Sequence, residues 1–210
     1  MRHFGRDEHG GVLVEVTVVI PIIFIFVLGA VDFLFAFYQW NAAAKAVELG
    51  ARIAAVSAPV VNGLQNATGS GSSSVPQPLP VPYFKVTCSA GGCSCIGNCP
   101  GVGGYNAAAM NTIVFGRGSS ACNDATSSYY AGMCDVFGRV APAKVRIVYE
   151  QTGLGFVGRP DGPVPTITVS LQNLPFQFFF LGGLMSFANI PNIPASATIT
   201  GEDLNSSGGP

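Results

Sequence analysis

His9-Gly10-Gly11-Val12-Leu13-Val14-Glu15-Val16 opens the stretch that decides the fold, because hydrophobic residues then run almost unbroken to Trp40. No charge occurs from Val16 to Val31; Asp32 interrupts the run, and Phe33 to Trp40 is apolar again except for Gln39. Read as one helix, the segment from Val16 to Trp40 extends about 37 Å, enough to cross a hydrocarbon core of about 30 Å. Tyr38 and Trp40 fall where an interfacial aromatic belt is expected. Glu15 is the costly residue of this run. A carboxylate at mid-helix costs roughly 2.5–3.5 kcal/mol on insertion scales and less near an interface, so it calls for a partner.

The helical pattern continues past the membrane. Trp40, Ala43, Ala44, Val47, Ala51, Ala54, Ala55 and Ala58 follow the spacing of one helical face, and Pro59 ends the run. Lys45, Glu48 and Arg52 make a narrow charged row, with Glu48 four residues before Arg52, the favourable order for a helical ion pair. A helix through residues 11–58 is thus predicted, with a membrane half at 12–40 and an amphipathic half at 41–58. Pro21 removes one backbone bond and predicts a bend in the membrane half.

Composition agrees with a membrane-associated chain. Of 210 residues only 10% are charged, against about 25% in soluble domains, and 49% are hydrophobic. The net charge of −1 gives no reason to expect nucleic acid or an acidic substrate. Arg2 and Arg6 on one side of the span balance Lys45 and Arg52 on the other, so the positive-inside rule does not orient it. The cysteines do. Cys88, Cys93, Cys95, Cys99, Cys122 and Cys134 all follow the span in a small, turn-rich region, and an even set there reads as disulfides in an oxidising compartment. The N-terminus is therefore placed in the cytoplasm and residues beyond about 45 outside it. Six cysteines allow fifteen pairings, which spacing does not resolve.

Residues 59–82 have the composition of a linker, and 83–210 read as an extracytoplasmic α+β domain with a Cys-rich loop over 88–134. Strands are expected at Tyr83–Thr87, Phe176–Leu181 and Ser196–Thr200. Lys144–Gln151 and Thr166–Leu171 alternate and read as a hairpin, linked through the turn signal Arg159-Pro160-Asp161-Gly162. Tyr105–Thr112 and Asp124–Val140 are helix candidates. The expected fold class is α+β: a long N-terminal transmembrane helix continuing into a small antiparallel sheet with a disulfide-stapled loop.

Three stretches resemble the TadE/TadG-like pseudopilins of the tight-adherence (Flp) pilus system. Gly10-Gly11-Val12-Leu13-Val14-Glu15 resembles a prepilin peptidase site, with cleavage after Gly and Glu at +5 of the mature chain. Val31-Asp32-Phe33 matches the acid followed by Phe late in the span. Leu49-Gly50-Ala51-Arg52-Ile53-Ala54-Ala55-Val56 is similar to the family's helix end. Val16 departs from the aromatic residue usual at +6, and the Cys-rich region is not general in the family. The resemblance implies a leader at 1–10 cut between Gly10 and Gly11, and assembly roles for Glu15, Asp32 and Arg52. It also implies a non-enzymatic minor pilin without cofactor or metal. Implied partners are membrane lipid, the prepilin peptidase, the inner-membrane assembly platform and other pilins, including the major Flp pilin. The implied location is the bacterial inner membrane, single-pass, or the filament.

Other readings carry less of the sequence. Glu15 as a snorkelling acid leaves its spacing from Gly10 unexplained, and Ala42-Ala43-Ala44 as a signal cleavage site ignores a run longer than a signal core of about 7–15 residues. The cysteine spacing lacks a CxxC pair, and His3 and His9 lie in the leader, which disfavours a metal site. Gly153–Gly158 has the GxGxxG form, but Pro160 follows where a phosphate-binding helix would have to open. Two alternatives of other classes stand: an unprocessed single-span protein with an extracytoplasmic binding or adhesive module, and a periplasmic thiol or metal enzyme. Glu15 and Asp32 lie about 260° apart round a helix, so they do not form one carboxylate pair.

Overall fold

The computed structural model describes residues 9–67, 77–78, 83–123, 130–153, 156–157, 164–180, 182 and 192–201. The elements in chain order are α1 (His9–Ala55), β1 (Gln77–Pro78), β2 (Phe84–Ser89), β3 (Gly92–Gly97), α2 (Ala107–Phe115), α3 (Met133–Val136), β4 (Val145–Glu150), β5 (Phe156–Val157), β6 (Thr166–Leu171) and β7 (Ser196–Thr200). Short 3-10 turns occupy Leu64–Asn66 and Pro142–Lys144. The chain divides into two compact units: 1–38 with 176–191, and 39–175 with 192–210. The leader residues 1–8, the turn at 159–162 and most of the serine-rich stretch after residue 67 lie outside the described residues.

In the first unit α1 is an apolar helix with its side chains facing outward. Leu13, Val18, Ile22, Phe24, Phe26, Phe33 and Leu34 are all exposed. A helix that shows Phe, Ile and Val on all sides is unstable as a water-facing surface and suits a lipid-facing one. The helix is long and apolar enough to cross a membrane and contains Pro21 within one continuous element.

The second unit holds the core. Its sheet has the order β3-β2-β4-β6-β7 with every neighbour antiparallel, and a separate two-stranded ladder joins β1 to β5. Strict alternation buries Phe84, Val86 and Cys88 on β2, Val145, Ile147 and Tyr149 on β4, and Ile167, Val169 and Leu171 on β6. Each such side chain contributes roughly 1.5–3 kcal/mol by leaving water. Met110, Ile113 and Val114 of α2 complete this core together with the outer part of α1. Asn106 caps α2 by accepting from the Ala109 N–H at 3.1 Å, and Gly116 ends it at φ 90°.

The buried stripe of α1 is Gln39, Ala43, Ala46, Val47, Gly50, Ala51, Ala54 and Ala55. Trp40 and Ala44, expected on that face, are exposed, and Ala46 and Gly50 take their places. The physical reason is close approach. A Cβ on Gly50 would collide with the buried Met133 side chain, so the stripe centres on the smallest residue. The helix ends at Ala55, three residues before the expected Ala58, through a tight Val56 N–H to Ile53 C=O bond of 3.2 Å.

Three further features differ from the sequence reading. Within 59–82, Val60, Val61, Leu64 and Ala67 are buried, and Val60–Asn62 bonds through its backbone to Gly103–Asn106. The stretch after Cys88 is a hairpin rather than a loop, turning at Ala90-Gly91 with φ of 47° and 81°, the paired positive values of a type I′ turn. Residues 176–180 form no strand; Leu181 lies outside the described residues. The Phe179 and Phe180 backbone N–H groups instead find a side-chain acceptor, described next.

Candidate functional site

Gly10 and Gly11 lie in the first turn of α1, and Gly11 has open space where a Cβ would stand. Glu15 follows one turn later on the exposed apolar surface. Among the described residues its carboxylate has no hydrogen-bond or ion-pair partner.

Asp32 is the opposite case. It is fully buried, with 0% exposure, late in the apolar part of α1. Its Oδ1 accepts the Phe179 backbone N–H and its Oδ2 the Phe180 N–H, each at 2.9 Å. Beside this fork, the Phe35 and Phe179 rings pack at 4.5 Å between centroids with a 43° tilt. Two amides directed at one carboxylate are charge-assisted bonds, each worth about 1.5–3 kcal/mol. The partners lie 147 and 148 residues away, which no local pattern reveals.

Arg52 sits on the surface of the second unit. Its Nη2 meets Glu48 Oε1 at 2.6 Å, and Lys45 Nζ lies 3.5 Å from Glu48 Oε2. All three side chains are well exposed, so the row contributes little to stability. Beside it, a mostly apolar groove of about 340 Å³ is lined by Leu49, Ile53, Val56, Thr112, Arg117 and Tyr130. The Arg117 guanidinium lies 5.2 Å from the Tyr130 ring centroid.

The six cysteines pair as Cys88–Cys93, Cys95–Cys99 and Cys122–Cys134, leaving no free thiol. Cys88 and Cys93 face each other across the β2–β3 ladder, so the first bridge is a cross-strand pair. Cys95–Cys99 ties β3 to the loop that follows it, and Cys122–Cys134 secures the segment before α3. Among the described residues no group of three His, Cys, Asp or Glu could hold a metal ion.

Several polar groups that fix the second unit carry no sequence signal. The buried Gln39 accepts from Arg139 Nη1 at 2.7 Å, and Arg139 Nη2 bonds the Pro175 carbonyl at 2.8 Å. Burial lowers the Arg139 guanidinium from its ordinary value. Tyr149 is fully buried, its hydroxyl accepts the Val60 N–H at 3.0 Å, and burial pushes its pKa well up. On the surface, the hydrogen bond from the Tyr83 hydroxyl at 2.8 Å holds Glu150 below the usual carboxylate range; Lys85 at 3.2 Å adds to this.

Among the described residues nothing in this arrangement assembles a nucleophile, base and acceptor; what stands out is one long helix whose apolar part carries two acids, Glu15 and Asp32, in contrasting states. Neither the curated proteins nor the solved structures include a match to this chain. The helix does have one: residues 10–52 match the family described as TadE-like protein.

Proposed function

We propose that the chain is a structural, non-enzymatic minor pilin of the Tad/Flp pilus assembly system. It is inserted through α1, with the sheet domain outside the cytoplasm, and is cut between Gly10 and Gly11. The observation that carries this reading is the family match, which begins at Gly10 and ends at Arg52. It covers the Gly10–Glu15 spacing, Asp32 and the Gly50-Ala51-Arg52 helix end.

Cleavage supplies a partner for Glu15, which has none among the described residues. A cut after Gly10 creates an α-amino group on Gly11, near one face of the membrane. A neighbouring subunit's Glu15 reaches that cation as subunits pack. Two charges 4 Å apart attract by about 4 kcal/mol at an effective dielectric of 20, enough to favour one axial register. Until the cut is made the amine does not exist, so processing gates assembly. The partners follow: the prepilin peptidase for the cut, the inner-membrane platform for insertion into pili, and other pilins, including the major Flp pilin, for packing.

Mass spectrometry of the N-terminal peptide from membrane and sheared-pilus fractions tests this. A mature chain starting at Gly11 is expected. A start at Met1 or at residue 2 sinks the processing claim and supports the unprocessed single-span alternative.

A further inference from the structure

The Asp32 fork fixes more than a carboxylate. Because the Phe179 and Phe180 amides bond its two oxygens, and the Phe179 ring packs at a tilt against Phe35, the 179–180 backbone is held at the axial level of residues 32–35 of α1. The rise from Leu13 to Asp32 is about 28 Å at 1.5 Å per residue, within a hydrocarbon thickness of about 30 Å. If α1 spans the bilayer, these phenylalanines sit at the edge of the acyl-chain region.

The large exposed side chains at that level are apolar, with Gln177 the one exposed polar side chain among residues 176–180. Phe33 and Leu34 on the helix are 69% and 65% exposed, and Phe179 and Phe180 on the loop are 66% and 44% exposed. The sequence from Pro175 to Phe187, PFQFFFLGGLMSF, contains no charged residue. A loop built to face water does not present adjacent phenylalanines in an uncharged run. The loop's surface is continuous with the outward apolar surface of the helix, so the same solvent covers both.

Non-helical backbone is tolerated at membrane depth only where its polar groups are satisfied by protein. Asp32 meets that condition for two consecutive amides. The reverse also holds, since an acid in a membrane helix requires hydrogen-bond donors. Each group thus removes the other's cost.

We infer that residues 176–180 form a second membrane contact, an interfacial loop that dips Phe179 and Phe180 into the acyl-chain boundary at the C-terminal end of the span and is moored there by Asp32. The occupant of this surface is lipid. This rests on the reading of α1 as a membrane span, and the test separates the two.

Trp40 is the only tryptophan, so Trp40→Phe gives a silent background. The full chain carrying Phe179→Trp in that background is reconstituted into vesicles of phosphatidylcholine and phosphatidylglycerol, with or without lipids brominated along the acyl chains. Bromolipid is expected to reduce the fluorescence at least twofold, while iodide leaves it unchanged. Ile23→Trp in the same background reports the span itself. Quenching of Ile23→Trp without quenching of Phe179→Trp overturns the loop contact and leaves the span standing. If neither is quenched, the span reading fails and the loop contact with it. Shielding of Phe179→Trp from both lipid and iodide means that another protein chain covers the loop, which also overturns the inference. Phe180→Trp serves as a second reporter should the first variant misfold. Adding Asp32→Ala is expected to cut the bromolipid quenching by at least half; unchanged quenching overturns the mooring by Asp32.

Discussion

The two parts of α1 use apolar residues in opposite ways. Residues 13–38 turn Phe, Ile, Leu and Val outward, whereas residues 39–55 hide a narrow stripe of Ala, Val and Gly. The polar residues follow the same division. In the first part a charge must either be satisfied within the chain, as Asp32 is, or await a partner, as we propose for Glu15. In the second part Glu48 and Arg52 simply pair at the surface. The contrast teaches that identity alone does not give a residue's role on such a helix; the medium each face meets decides it.

The largest effect is expected where the stripe is tightest. Gly50→Leu forces a branched side chain into the buried Met133 thioether and should destabilise the sheet unit by about 3 kcal/mol, the upper part of the overpacking range. Thermal denaturation of the detergent-solubilised protein measures this, and Met133→Ala should partly restore the double variant. A wild-type melting temperature for Gly50→Leu would remove the distinction between the two parts of the helix.

Next comes Asp32→Ala, which leaves the Phe179 and Phe180 amides without their acceptor. A loss of about 2 kcal/mol in local stability corresponds to roughly 30-fold faster amide exchange at those two positions. Exchange in the sheet strands should not change. If instead the whole protein loosens, Asp32 serves the global fold and the contrast with Glu15 is blurred.

A pH dependence should appear in the second unit. The hydrogen bond from Tyr83 depresses the Glu150 pKa in the folded state. Its contribution is therefore present above the unfolded carboxylate value near 4.3 and is lost as pH falls through the lower folded value. Glu150→Gln should flatten this part of an acid titration followed by circular dichroism. The smallest effect belongs to Arg52→Ala. Losing an exposed i, i+4 pair should change stability by about 0.3–0.5 kcal/mol, so any larger defect in pilus assembly would reflect contact with another subunit.

Much of this was legible from the residues. The apolar run gave α1, alternation gave Thr166–Leu171, and the strand expected at Ser196–Thr200 also has its observed bounds. The Lys144–Gln151 run pairs with Thr166–Leu171 in the expected antiparallel sense. The hairpin at Cys88–Cys93 escaped because β3, Gly-Cys-Ser-Cys-Ile-Gly, lies at the sheet edge with little buried surface and so shows no alternation of apolar residues. A two-residue Ala-Gly link between equal arms was the signal available. Phe176–Leu181 has strand composition, yet its phenylalanines serve a different end, with amides bonded to a side chain rather than to a neighbouring strand. The partners of Asp32, Gln39 and Tyr149 are all long-range and depend on the finished topology, so spacing could not supply them.

The central claim is that Glu15 is reserved for a neighbouring subunit while Asp32 is satisfied within its own. The most direct test is the amount of Glu15→Ala protein in sheared pili and in the assembly-platform complex, beside N-terminal sequencing of the membrane pool. The account predicts a chain cut normally at Gly11 that accumulates in the membrane and is strongly depleted from both assemblies. Incorporation of cut Glu15→Ala at the wild-type level would contradict it.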